Sequence, residues 1–465
     1  MAALPLTRRS IFAQAWPIMV GQASVPLVGI VDATVIGRTG DAAALAGVAL
    51  GATIVNLLFW SFGFLRMGTT GLVAQADGRA DDWEVRALLL RSLALGAGFG
   101  FLLLALQWPL SKLAFALLSG GEAVTGEAGA YVAARFWGAP AALSVFAING
   151  WLLGLGRTRT ALALQILLNA VNIGLDVALV WGLGLSAAGV GAGTAGAEWT
   201  AALAGLILCL RFSGLDLRAM LAPASRKAVF AWDAMRRLMA VNGDIMIRTI
   251  ALLFLFAWFA NAGARLGTAP LAANHVLLQF VSVAAFILDA FAFTAESRIG
   301  NAVGLGSRAQ FIRAIRLTGE FSALGGALLA LAFWTAGPGA IALITTDPAV
   351  RNIAEAFLPF VVAIPLIGMP SWLLDGIFIG ATRGRALRNA ALLSTGLYLA
   401  LDLILRGDHA LGGNGGNGGN GGNGGVWTAF LMSYVFRAGA LALYFPGLLR
   451  SLKGESALDR RGAAD

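Results

Sequence analysis

The chain has 465 residues, of which 58% are hydrophobic and only 12% are charged. A soluble domain of average composition carries roughly twice that share of charge, and apolar stretches recur along the whole length, so the composition excludes a soluble globular protein. The formal net charge is +9, but the basic residues are spread over many loops and form no single patch, which argues against nucleic acid as a partner.

Twelve apolar stretches are long enough to cross the hydrocarbon core of a bilayer, which takes about 20 residues each. The first exceeds the core of a signal peptide and lacks a small-residue cleavage site, so we interpret it as a spanning helix. The predicted spans are 12–37, 43–65, 87–107, 128–154, 160–184, 187–211, 238–260, 271–297, 317–344, 353–380, 387–405 and 426–448. The sequence therefore predicts an all-α polytopic membrane protein that is surrounded by the lipid bilayer.

The basic residues alternate between the predicted loops. With the N-terminus inside, the inner segments hold 24 lysines and arginines and the outer loops hold five. This bias follows the positive-inside rule, and an odd-numbered error in the span count would destroy it. We therefore expect both termini in the cytoplasm.

The longest inner segment, 212–237, divides the predicted spans into six and six. The expected organisation is an N-lobe at 1–211, a cytoplasmic linker at 212–237, a C-lobe at 238–449 and a cytoplasmic tail at 450–465. Residues 412–425 read GGNGGNGGNGGNGG and are predicted to form a flexible outer loop, because such a sequence buries no apolar area.

One membrane-like segment occurs twice, 226 positions apart. Residues 149–176 and 375–402 are identical at seven of 28 aligned positions, which are Gly150, Gly154, Arg157, Arg159, Leu167, Leu175 and Asp176 of the first copy. The same offset places Asp375 at the position of Asn149, and Trp258 at that of Asp32. A direct repeat of hydrophobic segments is typical of a transporter built from two related six-helix bundles.

Acidic residues within the predicted spans are candidates for an ion pathway, because a charge is costly in hydrocarbon. The alternative is structural, with each carboxylate paired to Arg135, Arg248 or Arg437 or placed at a helix end. We favour a functional role for four of them and leave both interpretations open for Glu296 and Asp402. Glu198 and Asp289 lie between these two cases. The eight acidic residues are Asp32, Asp176, Asp244 and Asp375, which we favour, and Glu198, Asp289, Glu296 and Asp402.

Asn172 and Asp176 lie four residues apart and therefore project from one face of the fifth span. A carboxylate and an amide oxygen on one face suit a proton or a sodium ion, which both take hard oxygen ligands. A hydrogen bond between helices is the equally compatible alternative.

Pro17 and Pro26 interrupt the first span and are candidate hinges. The glycine-rich residues 191–196 are interpreted as close helix packing.

Five segments resemble the multidrug and toxic compound extrusion (MATE) family, and the last two resemble its DinF-like branch. They are residues 31–40 (VDATVIGRTG), 149–159 (NGWLLGLGRTR), 169–176 (NAVNIGLD), 242–249 (NGDIMIRT) and 374–383 (LDGIFIGATR). The resemblance implies two six-helix bundles that alternate between outward and inward openings. It implies a monomer in the bacterial inner membrane that exports amphipathic, often cationic, organic compounds in exchange for protons or sodium ions.

In similar transporters a cation site in the N-lobe uses residue types that are all present in this chain. The matching residues are Asp32, Asn149, Asn172, Asp176 and Thr194, and Pro17 matches a kinking proline. Other branches use acidic residues of spans seven and ten, where Asp244 and Asp375 stand here, and Asp289 is a further C-lobe candidate.

The sequence argues against two other functions. A flippase for a lipid-linked precursor has a related architecture, but few arginines lie within the spans of this chain, which argues against a strongly cationic cavity. An enzyme is not expected, because the sequence has neither a zinc-binding nor a serine-hydrolase motif. We therefore expect no cofactor, and no metal beyond a sodium ion at the N-lobe site.

Overall fold

Helices make up nearly all of the chain that the structure describes. This computed structural model describes residues 6–118, 121–214, 220, 222–406 and 420–459, and no strand occurs among them. A π-helical turn at Val177–Gly182 follows the eighth helix. The helices are α1 (Arg8–Gly37), α2 (Ala42–Trp60), α3 (Phe64–Gly78), α4 (Asp82–Ala105), α5 (Gln107–Leu117), α6 (Glu122–Phe136), α7 (Ala139–Gly154), α8 (Thr158–Asp176), α9 (Ala187–Ser213), α10 (Pro223–Val229), α11 (Trp232–Arg265), α12 (Thr268–Gly304), α13 (Arg308–Ile344), α14 (Pro348–Ile367), α15 (Met369–Gly380), α16 (Gly384–Arg406) and α17 (Asn420–Asp459).

The predicted twelve-span fold is confirmed. In the described residues, 11 helical stretches are long and apolar enough to cross a membrane, and α6 with α7 gives a twelfth when this pair, bent by 54°, counts as one span. The bend follows from the sequence, because Gly138 precedes α7 and Pro140 lies in its first turn. A proline in the first turn of a helix costs no helical hydrogen bond. It cannot donate to a carbonyl of the preceding helix, so α6 does not run straight into α7.

The chain divides into two compact units. The N-terminal unit comprises Trp16–Asn242, and the C-terminal unit comprises Gly243–Asp465 together with Met1–Ala15. The first boundary therefore lies inside α1, just before Pro17. Helix α1 continues through both Pro17 and Pro26, so each proline removes one backbone donor from a helix that is otherwise unbroken.

The two units repeat the same local structure at the 226-residue offset. Helices α3 and α12 end at Gly78 and Gly304, α7 and α15 end at Gly154 and Gly380, and α8 and α16 begin at Thr158 and Gly384. The turns that follow α3 and α12 match as well. Ala80 and Gly306 have φ values of 55° and 62°, and the next residues, Asp81 and Ser307, each cap the following helix through a side-chain oxygen.

The glycines shared by the two copies mark close helix contacts. A Cβ atom at Gly150 would lie 2.5 Å from the carbonyl oxygen of Arg66, and one at Gly376 would overlap the carbonyl oxygen of Ala292. Arg66 and Ala292 are themselves 226 positions apart, so α7 packs on α3 in the same way as α15 packs on α12. The repeated glycines are therefore explained by backbone approach between neighbouring spans.

The Gly-Asn repeat is helical at its C-terminal end. Residues 412–425 were expected to be a flexible loop; residues 412–419 lie outside the described part of the chain, whereas α17 begins at Asn420. The buried Asn423 exchanges two amide hydrogen bonds with Asn274, at 2.8 and 3.0 Å. Trp427 Nε1 also donates to Asn274 Oδ1 at 2.8 Å. These buried hydrogen bonds offset the low helix propensity of the glycines.

A prediction follows from the close approach at Gly376. Gly376→Ala is expected to lower the free energy of unfolding by about 1–3 kcal/mol, because the added methyl group has no room beside the α12 backbone. The matched control is Gly396→Ala in α16, where the new Cβ meets nothing within 4 Å and alanine is the better helix former by about 1 kcal/mol. Thermal unfolding of the two purified variants tests this, and equal melting temperatures would contradict it.

Candidate functional site

Two buried carboxylates lie against each other in the N-terminal unit. Asp32 on α1 is 4% exposed and Asp176 at the end of α8 is 0% exposed. The two carboxyl groups are hydrogen-bonding and electrostatic neighbours. Within the described residues, neither forms an ion pair with a lysine or arginine, and Oδ1 of each has no hydrogen-bond partner. Two such groups repel each other when both are ionised, so the pair needs a proton or another cation between or beside its oxygens.

Asn172 and Thr194 complete the polar surface around this pair. Asn172 Nδ2 donates to Asp176 Oδ2 and to Thr194 Oγ1, both at 3.1 Å, and the Thr194 hydroxyl donates to the Val190 carbonyl. The Asn172 amide also contacts Asp32. Asn172 Oδ1 is buried and has no hydrogen-bond partner among the described residues. Unpartnered oxygens of Asp32, Asn172 and Asp176 therefore remain as ligands for a hard cation.

The expected N-lobe set is brought together except for one residue. Asp32, Asn172, Asp176 and Thr194 form the cluster just described. Asn149 lies on α7, and no hydrogen bond joins it to those four within the described chain; its Oδ1 is buried and has no hydrogen-bond partner.

Two local features of the backbone shape the site, and the sequence interpretation missed both. A Cβ atom at Gly193 on α9 would overlap Asp176 Oδ1, so only glycine lets the carboxylate lie against that helix. Directly after Asp176 the chain changes to the π-helical turn, a distortion that is frequent at functional sites. Gly193 belongs to the glycine-rich residues 191–196, so the signal was present but was attributed to packing alone.

A buried ion pair stands next to the site. Arg135 Nη1 and Nη2 donate to the two carboxylate oxygens of Glu198, at 2.7 and 2.8 Å. A Cβ atom at Gly138 would overlap Glu198 Oε2, so this glycine leaves the space that the pair occupies. Arg135 acts electrostatically on Asp32 and Asp176, but its guanidinium is bound to Glu198. Glu198 is therefore one of the carboxylates that are paired with an arginine, as the structural alternative for the buried acidic residues describes.

The C-lobe candidates Asp244 and Asp375 are also paired with arginines. Arg388 Nη1 donates to Asp244 Oδ1 at 2.8 Å. Asp375 Oδ2 accepts from Arg248 Nη2, and Arg437 Nε lies 3.7 Å from the same oxygen. Each of these two carboxylates thus has a cation supplied by the chain itself.

Of the remaining acidic residues, Asp289 on α12 acts electrostatically on Tyr434. Glu296 is buried on the same helix, with its carbonyl oxygen facing Gly380. Asp402 is buried and paired with Arg406.

Comparisons with known proteins agree with this fold. A family model described as MatE matches residues 17–178 and 245–404. The DNA damage-inducible protein F of Escherichia coli is 36% identical over 414 residues, which are 88% of this chain and 89% of that protein. The multidrug resistance protein PmpM of Pseudomonas aeruginosa is 28% identical over 377 residues, 77% of each chain. The solved structure of the Vibrio cholerae MATE transporter VcmN in the bent form has a TM-score of 0.82 at 18% identity and covers 96% of this chain and 97% of that one.

These matches define a membrane transporter: the chain belongs to the MATE family. Its identity with the Escherichia coli protein, over most of both chains, places it in the DinF-like branch. The resemblance found in the five sequence segments is thereby confirmed, and the chain is a transporter of the multidrug efflux class.

Gly193 gives a prediction for the geometry of the site. Gly193→Ala is expected to displace the Asp176 carboxylate and to reduce gradient-driven efflux strongly, because the methyl group takes the volume of Oδ1. Gly174→Ala on α8 is the matched control, since its Cβ would meet nothing within 4 Å. Initial efflux rates from vesicles that contain equal amounts of each variant give the comparison. Wild-type rates for Gly193→Ala would show that the carboxylate position is unimportant.

Proposed function

We propose that this transporter exports organic compounds in exchange for a monovalent cation, and that the Asp32–Asp176 pair binds that cation. The observation that carries the proposal is the absence of an ion-pair partner for these two carboxylates among the described residues. Glu198, Asp244, Asp375 and Asp402 each contact an arginine. A buried carboxylate without a counter-charge is costly, so an exchangeable ion is the natural partner of this pair.

The direct contact between the two carboxyl groups favours a proton over a sodium ion as that cation. Two carboxyl groups can share one proton in a hydrogen bond, as two neighbouring carboxylates in other proteins do. A sodium ion would instead lie between the oxygens and hold the two groups apart. Asn172 supports either ion, because its amide donates to Asp176 and leaves its own oxygen free.

Alternating access explains how such a site drives export. If the site holds a proton in one orientation of the transporter and loses it in the other, the ion gradient biases the conformational cycle through its differential binding. Pro17 and Pro26, on the same helix as Asp32, are the proposed hinge positions.

The substrate class is proposed from the relatives. PmpM is named a multidrug resistance protein, as is MdtK of Cronobacter sakazakii, which is 26% identical over 310 residues. We propose small amphipathic or cationic organic molecules for this chain, which would act as a monomer in a bacterial inner membrane. Both termini would face the cytoplasm, in line with the distribution of the basic residues. The comparisons give no support to a lipid-precursor flippase.

The test of the coupling site is efflux from reconstituted vesicles, with pH and sodium gradients imposed separately. Asp32→Asn and Asp176→Asn are each expected to reduce gradient-driven efflux to the level of empty vesicles, since the amide keeps the shape and loses the exchangeable charge. Asp244→Asn is the control, because it neutralises an ion-paired carboxylate of the other unit. Normal coupled efflux by Asp176→Asn would refute the proposed site, and a response to sodium alone would refute the proton.

Asp375 is expected to tune transport without driving it. Asp375→Asn leaves Arg248 and Arg437 without their shared carboxylate, so it is expected to lower thermal stability and to alter the apparent substrate affinity. Gradient-driven efflux should remain measurable in the folded variant. Substrate and pH series of initial efflux rates provide the measurement. Loss of all coupled efflux in Asp375→Asn, with Asp32→Asn still active, would move the coupling site to the C-terminal unit.

A further inference from the structure

A polar cluster around Asp402 lies in the C-terminal unit at the position that corresponds to the N-terminal site. At the 226-residue offset, Asp402 corresponds to Asp176 and Trp258 to Asp32. The structure brings this second pair together as well, because Trp258 Nε1 donates to Asp402 Oδ2 at 2.7 Å. Since α8 and α16 begin 226 residues apart, the two aspartates lie at the same place on corresponding helices.

Asp402 is paired with an arginine of the chain, whereas Asp32 and Asp176 have no such partner among the described residues. Arg406, one helical turn after Asp402, donates from Nε to Oδ1 at 2.8 Å and from Nη2 to Oδ2. Asp402 is 0% exposed and Arg406 is 3% exposed. The guanidinium therefore makes a two-point contact with a fully buried carboxylate, which is the strongest geometry for such a pair.

A third position also corresponds between the two clusters. Tyr398 lies four residues before Asp402, as Asn172 lies four residues before Asp176. Tyr398 is buried, and neither its Oη atom nor the buried Nη1 atom of Arg406 has a hydrogen-bond partner among the residues that the structure describes. Polar atoms that are buried without partners are uncommon. Tyr398 is an electrostatic neighbour of both Asp402 and Arg406, which places it in the same cluster.

We propose that Trp258, Tyr398 and Asp402 form a second cation site, in which the guanidinium of Arg406 is the bound cation. The site would bind a small monovalent cation that has N–H donors. In this chain that cation is the guanidinium group of Arg406, which is attached through its own side chain. Because the guanidinium cannot leave, this site exchanges no ion. The MATE fold of this chain thus carries two corresponding carboxylate sites, one open to an external cation and one permanently occupied.

The contacts of Arg406 with Asp402 lie within the C-terminal unit. The pairing of Arg406 with Asp402 is therefore independent of whether the Asp32–Asp176 pair couples transport. A measurement of stability in place of transport therefore separates the two proposals. The test removes the guanidinium by substitution and supplies it again as a free ion in solution.

The experiment compares thermal unfolding of three variants of the full-length purified transporter with that of the wild type. Arg406→Ala is expected to lower the melting temperature by at least about 5 °C, because it leaves a buried carboxylate without its cation. Millimolar guanidinium chloride should restore much of this loss by binding to the folded state. Tetramethylammonium chloride at the same concentration, which has no N–H donor, should not.

Two control variants make the result specific. Asp402→Asn combined with Arg406→Ala removes both charges, so it should be more stable than Arg406→Ala and should not respond to guanidinium. Arg388→Ala removes the partner of Asp244, which is outside the cluster, and should not respond either.

Two results would overturn the proposal: a wild-type melting temperature for Arg406→Ala, or equal guanidinium responses in Arg406→Ala and the double variant. If Arg406→Ala cannot be purified, recovery of the double variant supports the proposal and loss of both variants contradicts it.

Discussion

The cost of a buried charge without a counter-charge determines how this transporter is built. In each unit, carboxylates are held within spanning helices, where ionised groups are stable only with a partner. Arginines of the chain supply that partner for Glu198, Asp375 and Asp402, and for the less buried Asp244. Within the described part of the chain, Asp32 and Asp176 have each other and Asn172 as hydrogen-bonding neighbours, and neither pairs with an arginine. On this difference rests the proposal that Asp32 and Asp176 bind an exchangeable ion, whereas the arginine-paired carboxylates stabilise the helix bundle.

The repeated structure shows how two related units can differ in this respect. Both keep the same helix ends, the same turns and the same close glycine contacts at the 226-residue offset. The divergence lies in a few side chains on that shared frame. Trp258 replaces the aspartate of α1, and Arg406 adds a guanidinium beside Asp402. With a shared frame and one proposed exchanging site, a single carboxylate pair would respond to the ion gradient.

The spans and the repeat could be predicted from the sequence, because long apolar stretches and shared Gly and Arg positions are strong signals. The residues of the site could be named only from the family resemblance. Their spacing in the sequence showed that Asn172 and Asp176 lie on one helix face, but it did not connect them with Asp32 or Thr194. The role of Arg406 was missed: its i,i+4 spacing from Asp402 was visible, but the predicted span ended at 405 and left it in an outer loop. The composition of the Gly-Asn repeat predicted a loop, but its C-terminal end is helical. The contact between Asn274 and Asn423 depends on tertiary structure, so the composition could not reveal it.

The central claim is that one carboxylate pair, and no arginine-paired carboxylate, takes up and releases a proton. Infrared difference spectroscopy of the reconstituted transporter across a pH series tests this directly, because a protonated carboxyl group has a C=O stretching band that an ionised one lacks. The expected result is a titrating carboxyl band in the wild type and in Asp244→Asn that is lost or moves to a different pH in Asp176→Asn. A titrating band that persists unchanged in Asp176→Asn, or no titrating carboxyl in the pH range of transport, would contradict the claim.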